Sequence, residues 1–189
     1  PITQVDPRND EPIVFTAKRA SRPHTYGLSG SGIGEKPCPI CEGNTTGILD
    51  WTNLSEGFTF INKNLFPVVF PYSTDDEGRH GGGGANRLSG HQGHFAQGLH
   101  FLQWTSSLHH KDWHNMPDED CFIVMKRLAA LEKKLLGGAI ALHEYSQDPS
   151  GHSGFVSIVK NVGGMVGGSL VHGHQQIVLS NMMARRLRE

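Results

Sequence analysis

Two histidines and a glutamine at alternate positions, His172, His174 and Gln176, are the residues of this sequence with the plainest chemical potential. Side chains on a strand alternate between its faces, so this spacing predicts the three nitrogen-bearing groups on one face and Val171, Ile177 and Leu179 on the other. A neutral imidazole nitrogen can attack an α-phosphorus and leave a phosphoramidate, which splits one hard transfer into two easier ones. A backbone carbonyl on the other ring nitrogen would hold the tautomer for that attack. Gln176 can donate a hydrogen bond to a phosphoryl oxygen but does not titrate, so it steadies charge without supplying a proton. That favours transfer involving phosphate, a good leaving group, over general hydrolysis. Just upstream, Asn161-Val-Gly-Gly-Met-Val-Gly-Gly-Ser169 joins glycines that allow close backbone approach to amides suited to cradling a phosphate. The bland reading of the same stretch is a strand with surface histidines beside a flexible hairpin.

Cys38-Pro-Ile-Cys41 is the second signal, a C-x-x-C knuckle that brings two thiolates onto one soft cation with a tetrahedral preference. A redox C-x-x-C follows a strand and opens a helix, whereas this one sits in a Gly/Pro-rich loop, so zinc is the expected occupant. Two thiolates make half a site, and His109, His110, His114 and His172 are in supply to complete it. A third signal, Arg19-Ala-Ser-Arg22-Pro23, follows a short β-rich run. Such a pair is ordinarily a solvated turn, yet guanidinium forks also grip phosphate oxygens bidentately. Gly30-Ser-Gly-Ile-Gly34 has the wrong spacing and no preceding strand for a dinucleotide fingerprint, and neither a P-loop nor a His-Glu-x-x-His motif occurs.

Residues 161–176 resemble the active-site segment of the galactose-1-phosphate uridylyltransferase branch of the histidine-triad superfamily, which includes ADP-sugar and dinucleoside-polyphosphate phosphorylases. In that branch a His-x-His-x-Gln strand follows an Asn- and Gly-rich loop ending in Ser, here Asn161, Gly163 and Ser169. The resemblance implies that His174 is the nucleophile, that Gln176 replaces the hydrolases' His, and that His172 is a metal ligand beside Cys38 and Cys41. It also implies a ligand from the segment before the long helix, where His109 matches best and His110 is its close rival. Arg19 and Arg22 resemble an Arg-x-x-Arg-Pro element that approaches substrate phosphates, and Asn64-Leu-Phe-Pro67 resembles a corner that contacts ribose and base. Leu65 stands where uridylyl-transferring members carry an acidic residue, which leaves adenine nucleotides open beside uridine ones.

The activity so implied is nucleotidyl transfer or phosphorolysis on a nucleoside diphosphate sugar or dinucleotide, through a covalent nucleotidyl-histidine, with a sugar phosphate or phosphate as co-substrate. A superfamily-type nucleotide hydrolase and a non-catalytic, zinc-stabilised nucleotide-binding module are the alternatives. The implied fold is an α+β lobe spanning residues 1–189, its antiparallel sheet carrying the catalytic strand and a helix near 118–136 packed on one face. Such proteins usually have two lobes, so this is either a single-lobe member or a chain whose second lobe is missing; a homodimer is left open.

The elements that must position these residues can be read along the chain. Strand character is expected in a short run that opens residues 12–23 ahead of a basic turn, across 58–70 with an interruption at the 64–67 corner, and at 101–106, 154–160 and 170–179. Pro117-Asp118 signals a helix start, and Cys121, Val124, Leu128, Leu131 and Leu135 recur at helical spacing until Gly137-Gly138. Cys121 thereby reads as a core thiol, and Trp104 and Trp113 are expected beneath that helix or at an interface. The Asp-, Gly-, His- and Ser-rich stretch from 71 to about 98 reads as a mobile surface loop or lid, with His80, His91, His94 and His100 solvent-exposed by default. Lys plus Arg is 17 against 18 for Asp plus Glu, so no sequence-wide pull toward nucleic acid or anionic membrane exists. No apolar window is long enough to span a membrane, and the polar start lacks the pattern of a signal peptide. Three cysteines, an odd number in a chain too large to need stapling, favour a reducing compartment, the cytoplasm.

Overall fold

The computed structural model describes residues 1–22, 37–49, 58–71, 94–137 and 154–185. Its strands in chain order are β1 (Ile2–Val5), β2 (Pro12–Phe15), β3 (Phe60–Lys63), β4 (His94–Phe95), β5 (Gly98–Trp104), β6 (Phe155–Val159) and β7 (His174–Ser180). The long helix α1 (Asp118–Leu136) falls between β5 and β6. Strands β3-β5-β7-β6 form one antiparallel sheet and β2-β1-β4 a second, smaller one. This is the α+β arrangement the sequence predicts.

Residue parity along β5 and β7 divides the larger sheet into two functional faces. Leu99, Phe101, Ile177 and Leu179 are buried with Ile61 against Leu128, Leu131 and Leu135 of α1. Burying a leucine side chain of this kind contributes about 1.5–3 kcal/mol. The helix forms here because Asp118, Glu119 and Asp120 sit at its positive end and Lys133 and Lys134 at its negative end, with an apolar stripe between. Arg127 interrupts that stripe as a buried cation, its guanidinium donating to the Thr59 carbonyl. Cys121 is only half-buried. The opposite face carries Trp104 paired with His174 and Leu102 paired with Gln176.

Several expectations change on contact with the structure. The ladder of β7 begins at His174, not at Leu170, so His172 precedes the strand and leaves its polar face. The chain bends at Val171 and His172 before the ladder starts, and Gly173 then packs so close to Asp112 that an added Cβ would fall 2.6 Å from the carboxyl carbon. Trp104 packs away from the helix, beside Cys38 and Ile40, with its ring edge-on to Phe60 at 5.7 Å. Only Phe60–Lys63 of the 58–70 stretch is a strand, because the corner follows at once; Phe70 then makes a single parallel bridge to Gln97. The end of the expected 71–98 loop is β4 and the start of β5, while residues 72–93, with His80 and His91, lie outside the described residues, as do Pro23 and residues 30–34. His100 is buried within β5. Strand β1, in a start read only as polar, pairs with β2 and β4. No helix among the described residues is long and apolar enough to cross a membrane.

Candidate functional site

The Cys38–Cys41 knuckle is a tight turn in which the Glu42 amide donates to the Cys38 carbonyl at 3.1 Å and the Gly43 amide to the Ile40 carbonyl at 3.1 Å. Gly43 has φ of 72°, a left-handed conformation that favours glycine and lets the turn close. The turn faces two rings: Cys38 Sγ lies 3.7 Å from His172 Nδ1, and Cys41 Sγ lies 3.5 Å from His172 Nδ1 and 3.4 Å from His109 Nδ1. All four ligand atoms lie within 4.8 Å of one another. A tetrahedral site with metal–sulfur and metal–nitrogen bonds of ordinary zinc length has S···N edges of about 3.6 Å, so the cluster fits such a cation. His172 is prepared for it, since its Nε2–H donates to the Ser106 carbonyl at 2.7 Å and leaves the Nδ1 lone pair toward the sulfurs. Burial lowers the His172 pKa and keeps the ring neutral. His110 packs its ring 4.8 Å from that of His109 and is exposed; neither it nor His114 enters the cluster.

Beside the knuckle, on the same side of the sheet, lies a cleft that is partly open to solvent, with a cavity volume of about 70 Å³. Of the sequence-predicted residues, Arg19, Arg22, Asn64, Asn161, Ser169, His174 and Gln176 all line it. Gly163 does not: with φ of 94° it shapes the loop instead, its carbonyl accepting the Gly168 amide at 3.0 Å. Arg19, Arg22 and Lys63 bring three cations to the lining, and no carboxylate occurs among its described residues. Arg19 donates to the Phe66 carbonyl at 3.0 Å, and burial together with Arg22 lowers its pKa. Arg22 reaches the Gly167 carbonyl at 3.5 Å and so ties the segment that follows β2 to the glycine loop.

His174 is buried, and its Nδ1 lies 2.8 Å from the His172 carbonyl oxygen. A carbonyl only accepts, so Nδ1 carries the proton and Nε2 keeps its lone pair. Burial is the main cause holding the ring's pKa below the usual imidazole range, and the Lys160 charge acts in the same direction. The arrangement presents an unprotonated imidazole nitrogen to a cation-lined cleft.

No family model matches the chain, and no curated protein is significantly similar to it. Solved structures do match it. A uridylyltransferase and a mutant uridylyltransferase each superpose with a TM-score of 0.60 at 18% identity, over 100% of this chain and 48% of theirs. An ADP-glucose phosphorylase from Arabidopsis thaliana with bound ADP-glucose matches with a TM-score of 0.54 at 14% identity, over 98% of this chain and 50% of that one. The chain has the uridylyltransferase-like fold. It spans about half the length of the solved structures it matches. These neighbours, a uridylyltransferase and an ADP-sugar phosphorylase, are of the kinds that the His172–Gln176 segment resembles.

The uridylyltransferase-like fold also supports the site with residues that sequence reasoning missed. Lys160 forms an ion pair with Asp112 at 2.8 Å and reaches the His174 carbonyl at 3.4 Å and Thr105 Oγ1 at 3.3 Å. Beneath His174, on the helix face, Gln175 Oε1 accepts from Thr105 at 3.2 Å and from the Trp113 indole at 3.3 Å. Its Nε2 donates to Gln103 Oε1 at 2.8 Å, and Gln103 donates to the Val124 carbonyl of α1 at 3.0 Å. This relay locks β7 to the helix. A signal for it existed, because Gln103 and Gln175 are polar at positions whose parity assigns them to the apolar face. Asp112 and Lys160 gave no such signal, since their meeting depends on tertiary contact alone.

Proposed function

We propose that the chain is a nucleotidyltransferase or phosphorylase lobe acting on a nucleoside diphosphate sugar, or a dinucleotide, through a covalent nucleotidyl-His174 intermediate. The observation that carries this reading is the bond from His174 Nδ1–H to the His172 carbonyl within a cation-lined cleft. His174 Nε2 attacks the α-phosphorus, the P–N bond forms, and the bond to the β-phosphate oxygen breaks to release a sugar 1-phosphate. An oxygen of the acceptor phosphate then attacks the same phosphorus and the P–N bond breaks, returning the lone pair to Nε2. Throughout, Nδ1–H stays on the His172 carbonyl, which supports the positive charge of the substituted ring. Arg19 and Arg22 bind the phosphate oxygens through their guanidinium forks. Gln176 donates to a phosphoryl oxygen without supplying a proton, which suits a phosphate leaving group.

Cys38, Cys41, His109 and His172 would hold one zinc ion. When bound, the metal supplies a structural tie between the knuckle and the turn whose carbonyl orients His174. Thiolate ligands suit a reducing compartment such as the cytoplasm. A partial exchange reaction tests the reading: labelled glucose 1-phosphate should pass into UDP-glucose or ADP-glucose with no second acceptor present. Exchange that needs an acceptor, or that survives His174→Ala, would show direct transfer instead.

A further inference from the structure

We propose that Lys160 and Asp112 are positioning residues that together lock the Gly173–His174 backbone, so that the His174 ring stays on the His172 carbonyl with Nε2 left for the substrate. This deepens the nucleotidyl-transfer reading above and rests on it. Neither residue lines the cleft, so the pair acts through His174 and not on the substrate.

The lock sits where the sheet gives out. The β6–β7 ladder ends at the Val159–Gln176 pair, and the chain after Lys160 leaves the sheet. On the other side of β7, the Thr105 amide donates to the Gly173 carbonyl at 2.9 Å. Successive carbonyls of a strand point to opposite sides, so the His174 carbonyl turns toward β6, beyond the last ladder pair. Lys160 Nζ reaches it there at 3.4 Å, in the place a strand amide would take. The same ammonium lies 2.8 Å from Asp112 Oδ1 and 3.3 Å from Thr105 Oγ1, so its three N–H groups meet three oxygens. Thr105 Oγ1 can accept because its own proton goes to Gln175 Oε1.

Asp112 is itself fixed. Its amide donates to Asn115 Oδ1 at 2.8 Å, its carbonyl accepts the Asn115 amide at 2.9 Å, and its carboxylate accepts the Trp113 amide at 2.9 Å. Held in this way, the carboxylate fills the space that a Cβ on Gly173 would need. Gly173 lies outside the left-handed region, so space and not backbone conformation demands glycine there. Glycine is also the freest residue in a chain, and this one stands between His174 and the carbonyl that orients its ring. Turning either of its dihedrals would carry His174 Nδ1 off the His172 carbonyl, now 2.8 Å away. The pair opposes both turns, since the carboxylate packs on Gly173 while the ammonium holds the next carbonyl.

The test uses the intact chain as purified and reads the chemical step apart from binding. Single-turnover nucleotidylation of His174 by UDP-glucose or ADP-glucose should slow about tenfold in Lys160→Met, with nucleotide-sugar affinity and bound metal unchanged within about twofold. Lys160→Arg keeps donors for Asp112 and for the His174 carbonyl, and it should recover the rate to within about threefold of wild type. Asp112→Ala should slow the same step, and the double variant with Lys160→Met should be no slower than the worse single one, because both act through one lock. An ion pair that serves stability alone would lower the thermal midpoint and leave the folded fraction reacting at the wild-type rate. That outcome, effects that multiply in the double variant, or an Arg variant no faster than the Met one would overturn the proposal. Nitrogen-15 NMR of histidine-labelled chain gives an answer that needs no turnover. His174 should appear as the Nδ1–H tautomer with a slowly exchanging ring proton, and that proton should exchange at least about tenfold faster in Lys160→Met. A ring proton indifferent to Lys160 would refute the lock. Were the wild type to take up no nucleotidyl group, the catalytic reading would fall, and the spectrum alone would decide whether the pair holds His174.

Discussion

His172 and His174 are buried imidazoles two residues apart, and they offer opposite ring nitrogens. In the knuckle region, His172 spends Nε2–H on the Ser106 carbonyl and turns Nδ1 to two sulfurs. In the cleft, His174 spends Nδ1–H on the His172 carbonyl and keeps Nε2. Residue type does not distinguish them; the backbone acceptor available to each does. The bend at Val171 and His172 separates the two environments, and the His172 carbonyl links them, since the residue that faces the two sulfurs also fixes the tautomer of His174. On the proposed function, one ring holds the fold and the other does the chemistry.

The largest effect that separates the two regions is expected at His174. Replacing it by Ala should lower the exchange rate by at least about a thousandfold, as loss of a nucleophile does, while the thermal midpoint stays close to wild type. Cys38→Ser should do the opposite. It should abolish metal uptake, read by elemental analysis, and lower unfolding free energy by about 4 kcal/mol or more in urea titrations, since structural metal binding is linked to folding. The folded fraction should still form the His174 adduct. Equal damage to stability from both substitutions would erase the contrast.

A smaller effect concerns acid. His100 has its folded pKa pushed down to about 3, and His172 and His174 are lowered too, so in the folded state these rings bind protons only below the range where the unfolded chain does. The unfolded state therefore holds more protons as pH falls below about 6.5, and stability declines by up to about 1.4 kcal/mol per pH unit for each such ring. Urea midpoints at about pH 7 and about pH 5 should show this decline, and His100→Gln should make it shallower. The smallest effect is expected at Arg22, whose side chain is partly exposed at the cleft. Arg22→Ala should weaken nucleotide-sugar binding a few-fold at low salt and less at high salt, since exposed charge contacts are screened. Calorimetry at two ionic strengths reads it, and no change at low salt would count against a phosphate contact there.

How legible this was from sequence depended on whether the signal was local. The α1 stripe, the knuckle and the alternation through Gln176 are written in spacing, and the α+β class followed from the family resemblance of residues 161–176. The departure of His172 from the strand was not legible, because the alternating spacing continues through Val171 and His172, where the chain bends before the ladder begins. His100 was read as a loop residue because the Gly-rich stretch masked the start of β5, although Leu99, Phe101 and Leu102 flank it. Trp104 went to the wrong face for a related reason: its parity in β5 puts it beside Cys38, a contact that spacing within one segment cannot reveal. The Lys160–Asp112 pair likewise joins residues that carry no mutual signal along the chain.

The most direct measurement is the mass of the chain after brief exposure to UDP-glucose or ADP-glucose, with the modified peptide mapped. The account predicts one added nucleoside monophosphate, on His174, labile in acid and stable in alkali as a phosphoramidate is. It also predicts removal of the adduct by sugar 1-phosphate and none in His174→Ala. A bound nucleotide sugar that leaves no covalent adduct, or an adduct mapped to His172 or another residue, would contradict it.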